Sequence, residues 1–109
     1  MANTFKLKTK ANVVVTTVGI YTAPAATTTV VIGITLANTS GSGVNVGVGI
    51  TRAGTTEDVK LLKNAPIPQG SSLEFMGGNK VVLETTDTLT VDSDTNNSID
   101  AALTIMEIT

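Results

Sequence analysis

The side chains that could do chemistry in this sequence are carboxylates, hydroxyls, amides and lysines, because the 109 residues include no histidine, cysteine or tryptophan. Histidine-based triads, Cys–His nucleophiles, disulfides and zinc sites built on thiolate or imidazole are thereby excluded. Seven basic and nine acidic side chains give a net charge of −2, which argues against a nucleic-acid binder held by phosphate contacts. No run of eighteen apolar residues occurs, so we expect no membrane partner.

The segment from Asp92 to Asp100 carries oxygen side chains at alternate positions, as a calcium-binding EF-hand loop does. Two positions depart from that pattern, since Asn97 replaces the turn glycine and Leu103 replaces the bidentate glutamate. Both flanks also have the composition of strands rather than helices. We expect a solvated hairpin turn here and no metal site, with a structural calcium site as the alternative.

Neighbouring carboxylates could in principle perform acid–base hydrolysis, which needs two carboxyl groups roughly 5 to 9 Å apart across a cleft. The candidate pairs are Glu57/Asp58, Glu84/Asp87 and Asp92/Asp94. All of them adjoin turn signals, and only three aromatic residues are present to stack on a sugar. We therefore expect no enzyme activity, no catalytic residues and no cofactor.

Glycines do not form a phosphate-binding motif either. Gly43, Gly47 and Gly49 lack the required spacing, and the pair Gly49 and Gly54 is followed by Thr55 rather than lysine. We interpret these small residues as allowing sheets or subunits to approach closely.

The elements that must position these residues are strands, because twenty threonines and thirteen valines favour a pleated surface. Apolar residues alternate in 30–36 and again in 44–50, and the turn formers of 38–43 between them predict a hairpin. Other predicted strands are 4–9, 13–18, 59–62, 72–76, 80–83, 88–91 and 99–108. We predict a turn at 77–79, and an extended connection at 65–70 because its two prolines cannot donate to a ladder.

About nine short strands and no helix indicate an all-β protein with a single antiparallel β-sandwich, jelly-roll or immunoglobulin-like, of eight or nine strands. We expect one domain spanning 1–109, with 1–18 as a basic N-terminal strand or arm. A core so poor in aromatic residues is thin, which favours help from neighbouring subunits.

Charge is unevenly distributed, because the first strand is lysine-rich while 81–109 contains six carboxylates and no basic residue. Lys6, Lys8 and Lys10 fall on one side of that strand, and Phe5, Leu7 and Thr9 fall on the other. The lysines either protect an exposed edge strand or dock on an acidic neighbouring surface. The candidate interface residues are Lys6, Lys8, Lys10, Pro66, Ile67 and Pro68.

The order of five segments resembles the small β-sandwich virion proteins of tailed bacteriophages, including cyanophages. The segments are Tyr21-Thr22-Ala23-Pro24, VVIGITLANTSGSG (30–43), LLKNAPIPQGSSL (61–73), GGNKVVLETTDTL (77–89) and IDAALTIMEI (99–108). The resemblance leaves out the residues before Tyr21 and carries over no catalytic residues.

The resemblance implies a structural virion protein, expected first as a capsid decoration or accessory protein that binds and stabilises the outer shell. The alternatives are a neck, tail or baseplate component and a carbohydrate- or host-binding module. The expected partners are further copies of the chain, as a trimer or hexamer, and the major capsid protein or neck and tail proteins. The expected location is the virion, assembled in the cytoplasm of a bacterial host.

Overall fold

The structure is a computed structural model that describes residues 3–52, 57–75 and 80–109. Its nine strands are β1 (Asn3–Val13), β2 (Val18–Thr22), β3 (Thr28–Asn38), β4 (Val44–Arg52), β5 (Glu57–Ile67), β6 (Ser72–Phe75), β7 (Val81–Leu83), β8 (Thr88–Ser93) and β9 (Ile99–Ile108). The described residues contain no helix, and so none long and apolar enough to cross a membrane.

The strands form two antiparallel sheets, as the sequence predicts. Sheet A has the order β1-β9-β3-β6, with β7 also paired to β3, and sheet B has the order β2-β8-β4-β5. The pairs are nested along the chain, because β1 pairs with β9, β2 with β8, β3 with β6 and β7, and β4 with β5. A long hairpin rolled up so that β9 meets β3 and β8 meets β4 is a jelly roll. The predicted β-sandwich is confirmed, and this pairing selects the jelly roll over the immunoglobulin-like alternative.

The core between the sheets is almost entirely aliphatic, with Tyr21 as the aromatic residue among the buried hydrophobic side chains. Strands β3, β4 and β9 supply much of it: Val31, Ile34, Leu36, Val44, Val46, Val48, Ile50, Ile99, Ala101, Leu103 and Ile105. Alternation places every second side chain on one side of a sheet, and the predicted alternation in 44–50 is confirmed. The predicted alternation in 30–36 is correct for Ile34 and Leu36 but wrong for Val30 and Ile32, because a β-bulge between Val31 and Gly33 places Val31 in the core instead.

The predicted hairpin between 30–36 and 44–50 is wrong, because β3 belongs to sheet A and β4 to sheet B. The intervening residues instead cross between the sheets. Buried Asn38 holds this crossing, since its side-chain amide donates to the carbonyls of Ser42 and Ile67 at 2.8 and 2.9 Å. Its carbonyl oxygen accepts from the backbone N–H of Ser40 at 2.9 Å. A turn-rich segment between two alternating strands fits a crossing as well as it fits a hairpin.

The other boundaries differ in smaller ways. The predicted strand 13–18 is wrong in its middle, where residues 14–17 connect β1 to β2. The predicted connection 65–70 begins inside β5, where Pro66 lies opposite Asn45. Because β5 is an edge strand, the absence of a backbone N–H on Pro66 costs no hydrogen bond between strands. The predicted turn at 77–79 and the pair Gly54–Thr55 lie outside the described residues.

Candidate assembly surface

The lysines of β1 lie at the open edge of sheet A. Lys6, Lys8 and Lys10 are opposite Ile105, Leu103 and Ala101 of β9, whose side chains are in the core. Opposed residues point to the same side of a sheet, so the lysines lie on the inner side of sheet A at its edge. They are half-buried or exposed, consistent with alkyl stems along the edge of the core and ammonium groups in water.

Lys6 belongs to a polar cluster that joins the two sheets. Its Nζ lies 2.8 Å from Oε1 of Glu107, a β9 carboxylate that is 6% exposed. The hydroxyl of Tyr21 in β2 donates to Oε2 of Glu107 at 2.6 Å. Because that hydroxyl has one hydrogen, the Thr29 hydroxyl 2.8 Å away donates to the tyrosine oxygen. Three strands of sheet A are thereby tied to one strand of sheet B.

Both titratable partners of the tyrosine–glutamate bond have displaced pKa values. The ion pair with Lys6, and then the hydrogen bond from Tyr21, lower the pKa of Glu107 from its usual range. Burial, and then the hydrogen bond to Glu107, raise the pKa of Tyr21 to about 12. The cluster is therefore most stable with a charged carboxylate and a neutral phenol, and its displaced pKa values have a structural cause.

The structure places the candidate interface residues Pro66, Ile67 and Pro68 in different surroundings. Pro66 and Pro68 are exposed, whereas Ile67 is 1% exposed and packs in the core. The side chain of Ile67 therefore faces the interior, and the two prolines remain as candidates on the surface.

The Asp92–Asp100 segment connects β8 of sheet B to β9 of sheet A, so the predicted hairpin turn is wrong. Its side-chain oxygens bind backbone N–H groups: Asp94 accepts from Asn45, Asn96 from Val15 and Asp100 from Asn12, at 2.9 to 3.1 Å. Among the described residues, no three His, Cys, Asp or Glu side chains are grouped to hold a metal ion. These oxygens accept hydrogen bonds from neighbouring backbone segments and do not converge on one point as metal ligands would.

The carboxylate pairs considered for hydrolysis also have structural partners. Buried Asp87 lies 3.0 Å from Nε of Arg52, which also pairs with Glu84, and it accepts from the backbone N–H of Glu84 at 3.0 Å. Asp58 accepts from the Thr51 hydroxyl at 2.9 Å. Each described pair thus joins strands or closes a turn.

The outer side of sheet B is polar and closely packed. Register and alternation place ten residues there: Asn45, Gly47, Gly49, Thr51, Asp58, Lys60, Pro66, Thr88, Thr90 and Asp92. Lys60 Nζ lies 3.4 Å from Asp92 Oδ2 across this side. A Cβ at Gly49 would lie 2.8 Å from the carbonyl oxygen of Val59, so the glycine permits the close approach of β5. The close approach at Gly49 is thus between neighbouring strands of one sheet, whereas our interpretation of the small residues from the sequence is a close approach of sheets or subunits.

The outer side of sheet A is apolar, and the sequence reasoning missed it. Phe5 and Leu7 are 69% and 65% exposed, and Val82 is 53% exposed. Strand β9 gave the signal that could have found this side, since three of its five outward residues, Ala102, Met106 and Ile108, are apolar and half-buried, alongside the exposed Asp100 and Thr104. A strand that is apolar on both sides is typical of a sheet covered on both sides.

Comparison with known proteins shows a likeness in fold and assigns the chain to no family. No protein-family profile matches the chain, and no curated protein matches it in sequence. A protein of Bacillus endospore appendages, described as disulfide-linked pili, shares the fold with a TM-score of 0.55 and 15% identity, covering 97% of this chain and 84% of that one. This chain contains no cysteine and so cannot form such a link.

Chains from two virus structures share the same fold. A chain of the T13 IBDV viral particle has a TM-score of 0.57 and 14% identity, covering 96% of this chain and 30% of that one. A chain of the infectious bursal disease virus Gx strain has a TM-score of 0.56 and 14% identity, with 96% and 32% covered. This chain therefore spans about a third of the length of these viral chains, and the likeness concerns the fold alone.

Proposed function

We propose that this protein is a non-enzymatic structural component of a virus particle. The observation that carries the proposal is the nested pairing of a complete jelly roll, the arrangement that viral capsid domains use. The likeness in fold to chains from two solved virus structures supports it. The partners found for the described carboxylates support it further, because those groups stabilise the fold and leave no catalytic pair.

The particle we propose is a tailed bacteriophage, and the place is the outside of the capsid, as a decoration protein. The ordered resemblance of five segments between Tyr21 and Thr109 to phage virion proteins supports this choice. Such a protein would bind the major capsid protein and reinforce the shell. It would reach the particle after synthesis in the bacterial cytoplasm.

Cryo-electron microscopy of the purified particle tests this function. We expect an 11.1 kDa jelly roll repeated over the capsid lattice, in contact with the major capsid protein. A ring at the neck or tail would instead establish a head–tail or baseplate component. Absence of the chain from the particle, checked by mass spectrometry of the same preparation, would refute the structural role.

Attachment to the shell would use the free ends of the β1 lysines. Lys6 is paired within the chain to Glu107, so Lys8 and Lys10 are the better candidates for an acidic partner surface. We expect K8S/K10S to lower co-sedimentation with particles lacking the protein, most strongly at low salt, because exposed charges are screened by salt. The matched control is K63S, at an exposed lysine of β5; equal binding by both variants would refute attachment through β1.

The carbohydrate-binding alternative loses one of its candidate aromatic residues. Tyr21 is 7% exposed and its hydroxyl is bonded to Glu107, so it offers no face for a sugar to stack on. Phe5 is exposed, but it is the single aromatic side chain in the three rows of residues that cross the outer side of sheet A, so a sugar would have one ring to stack on. Reproducible binding to a glycan array that is lost in F5A would restore this alternative.

A further inference from the structure

We propose that two copies of this chain associate face to face through the outer side of sheet A, related by a twofold axis that crosses the strands. The inference deepens the proposed function by naming the surface used for self-association. It rests on that function for its biological setting only, because the dimer is a property of the isolated chain.

The outer side of sheet A is organised in three rows that run across the strands. The register sets a large row of Phe5, Met106, Val30 and Val82. A middle row of Leu7, Thr104 and Gly33 follows. A small row of Thr9, Ala102, Thr35 and Glu74 comes next. Consecutive rows are two residues, or about 7 Å, apart along the strands.

The small row forms shallow depressions that complement the large row. One depression of about 310 Å³ is lined by small residues such as Thr9, Thr35 and Ala102, and also by Lys10 and Asp100. A second of about 330 Å³ is lined by Gly33, Ala102 and Thr104, among others, and also by Glu74. A twofold axis along the middle row exchanges large and small rows, so that Phe5 of one copy lies over the depression of the other. Bulky residues then meet small ones on both halves of an isologous interface.

The charges of this side are compatible with a second copy. In the three rows the charged residue is Glu74, which is exposed on the edge strand β6. Asp100 lies beyond the small row, at one end of the side. The twofold axis places the Asp100 residues of the two copies at opposite ends, so no like charges meet at the centre. The two carboxylates of this side, Glu74 and Asp100, lie away from its centre. The centre therefore offers no charged group to an acidic or basic partner, which favours another copy of the same side.

The area is sufficient for a specific dimer. Four strand positions about 4.8 Å apart and about nine residues of β1 give roughly 570 Å² per copy in projection. The two copies together bury roughly 1,100 Å², above the ~1,000 Å² that a specific interface needs. Sheets packed this way lie about 10 Å apart, as in a β-sandwich.

Analytical ultracentrifugation of the full chain tests the dimer. We expect a mass of about 22 kDa, twice the chain mass of 11.1 kDa. The variant F5K/L7K should raise the dissociation constant at least ~100-fold, because each dimer would bury four unpaired charges. Both residues are exposed in the single chain, so the variant should melt like the separated wild-type monomer. V15K, at an exposed loop residue, is the matched control and should remain a dimer.

Cross-linking identifies the face independently of stability. The chain lacks cysteine, so T104C introduces a single thiol on the proposed axis. A short bismaleimide should join two copies of T104C efficiently, and should not join T22C, an exposed threonine on the outer side of sheet B. A wild-type chain that stays monomeric up to millimolar concentration, or equal cross-linking of the two variants, would overturn the proposal.

The two proposals fail separately. A dimer in solution together with absence from any particle would keep the interface and refute the virion role. A monomer whose F5K/L7K variant no longer enters particles would mean that another protein covers this side, which overturns the second copy and keeps the virion role.

Discussion

The outer sides of the two sheets differ in the residue types that they expose to water. On sheet B, Lys60 and Asp92 form an ion pair in contact with water, and glycines allow neighbouring strands to pack closely. On sheet A, the outer side is apolar, and the ion pair of Lys6 and Glu107 lies on the inner side at the β1 edge. Because its outer side carries charged and polar groups, sheet B can face water without a further covering layer. Sheet A exposes the residue types that a protein usually covers.

Substitution of Gly49 should have the largest effect, because the outer side of sheet B has no room for a methyl group there. G49A would place a Cβ 2.8 Å from the Val59 carbonyl oxygen, a backbone atom of the paired strand. We expect a loss of about 2–3 kcal/mol in the free energy of unfolding, measured by urea denaturation. G41A is the control and should change stability by less than ~0.5 kcal/mol, since nothing lies within 4 Å of its Cβ. Equal stability of the two variants would mean that sheet B is not closely packed.

Removing the charge of Glu107 should have the next largest effect. We expect E107Q to lower the free energy of unfolding by about 1.5–2 kcal/mol at pH 7, because the neutral amide cannot form the ion pair that the buried carboxylate makes with Lys6. The pKa of Glu107 is lowered in the folded protein, so its contribution is present above the unfolded pKa and lost as pH falls through the folded value. The stabilities of wild type and E107Q should therefore converge at low pH. E74Q, on the exposed outer side of sheet A, should follow wild type throughout.

Removing the Tyr21 hydroxyl should cost less, about 1 kcal/mol in Y21F at pH 7, because Lys6 still pairs with Glu107. The folded pKa of Tyr21 is raised to about 12, so its contribution is full below the unfolded pKa near 10 and is lost as pH rises toward 12. Wild type should lose stability across that interval, and Y21F should lose less. Identical alkaline profiles in thermal melting would contradict the role of this hydroxyl in joining the sheets.

The exposed ion pair of sheet B should contribute least. Both Lys60 and Asp92 contact water, with side chains 43% and 28% exposed. We expect K60A to lose less than ~0.5 kcal/mol at low salt, and the difference to vanish near 1 M salt. K63A, at an exposed lysine of the same strand, supplies the reference melt. A loss as large as that of E107Q would remove the distinction between the two ion pairs.

The sequence predicts the composition of the strands better than their arrangement. Alternation marked Ile34 and Leu36 of β3 as residues of one buried side, because burial on one side repeats every two residues. It did not reveal the β-bulge that places Val31, rather than Val30 and Ile32, in the core. It did not reveal which sheet β4 joins, since the Asn38 crossing uses the same residue types as a hairpin turn. Local turn chemistry carries no information about distant strand partners such as β8, where Ser93 lies opposite Val46 of β4.

The candidate site was predictable to a similar extent. The alternation of lysines with Phe5 and Leu7 predicted two unlike sides of β1, and the register with β9 agrees with that division. The sequence could not show that the lysines lie on the inner side, because this follows from the position of β1 beyond the edge of the core. Glu107 also escaped notice, since a single carboxylate among apolar residues does not indicate its partners, Lys6 and Tyr21.

The nested pairing has a consequence for how the chain folds. The shortest loop closure joins β4 to β5 in the middle of the sequence, whereas β1 must find β9 almost a hundred residues away. Closing a long loop costs more conformational entropy than closing a short one, and strand pairs that are distant in sequence form slowly. We therefore expect folding to proceed from the middle strands outward. Strand β9 lies between β1 and β3, so β1 cannot join sheet A on the ribosome until residues 99–108 have emerged. Among the nine strands, β1 therefore stays unpaired for the longest time during synthesis, with Phe5 and Leu7 exposed throughout.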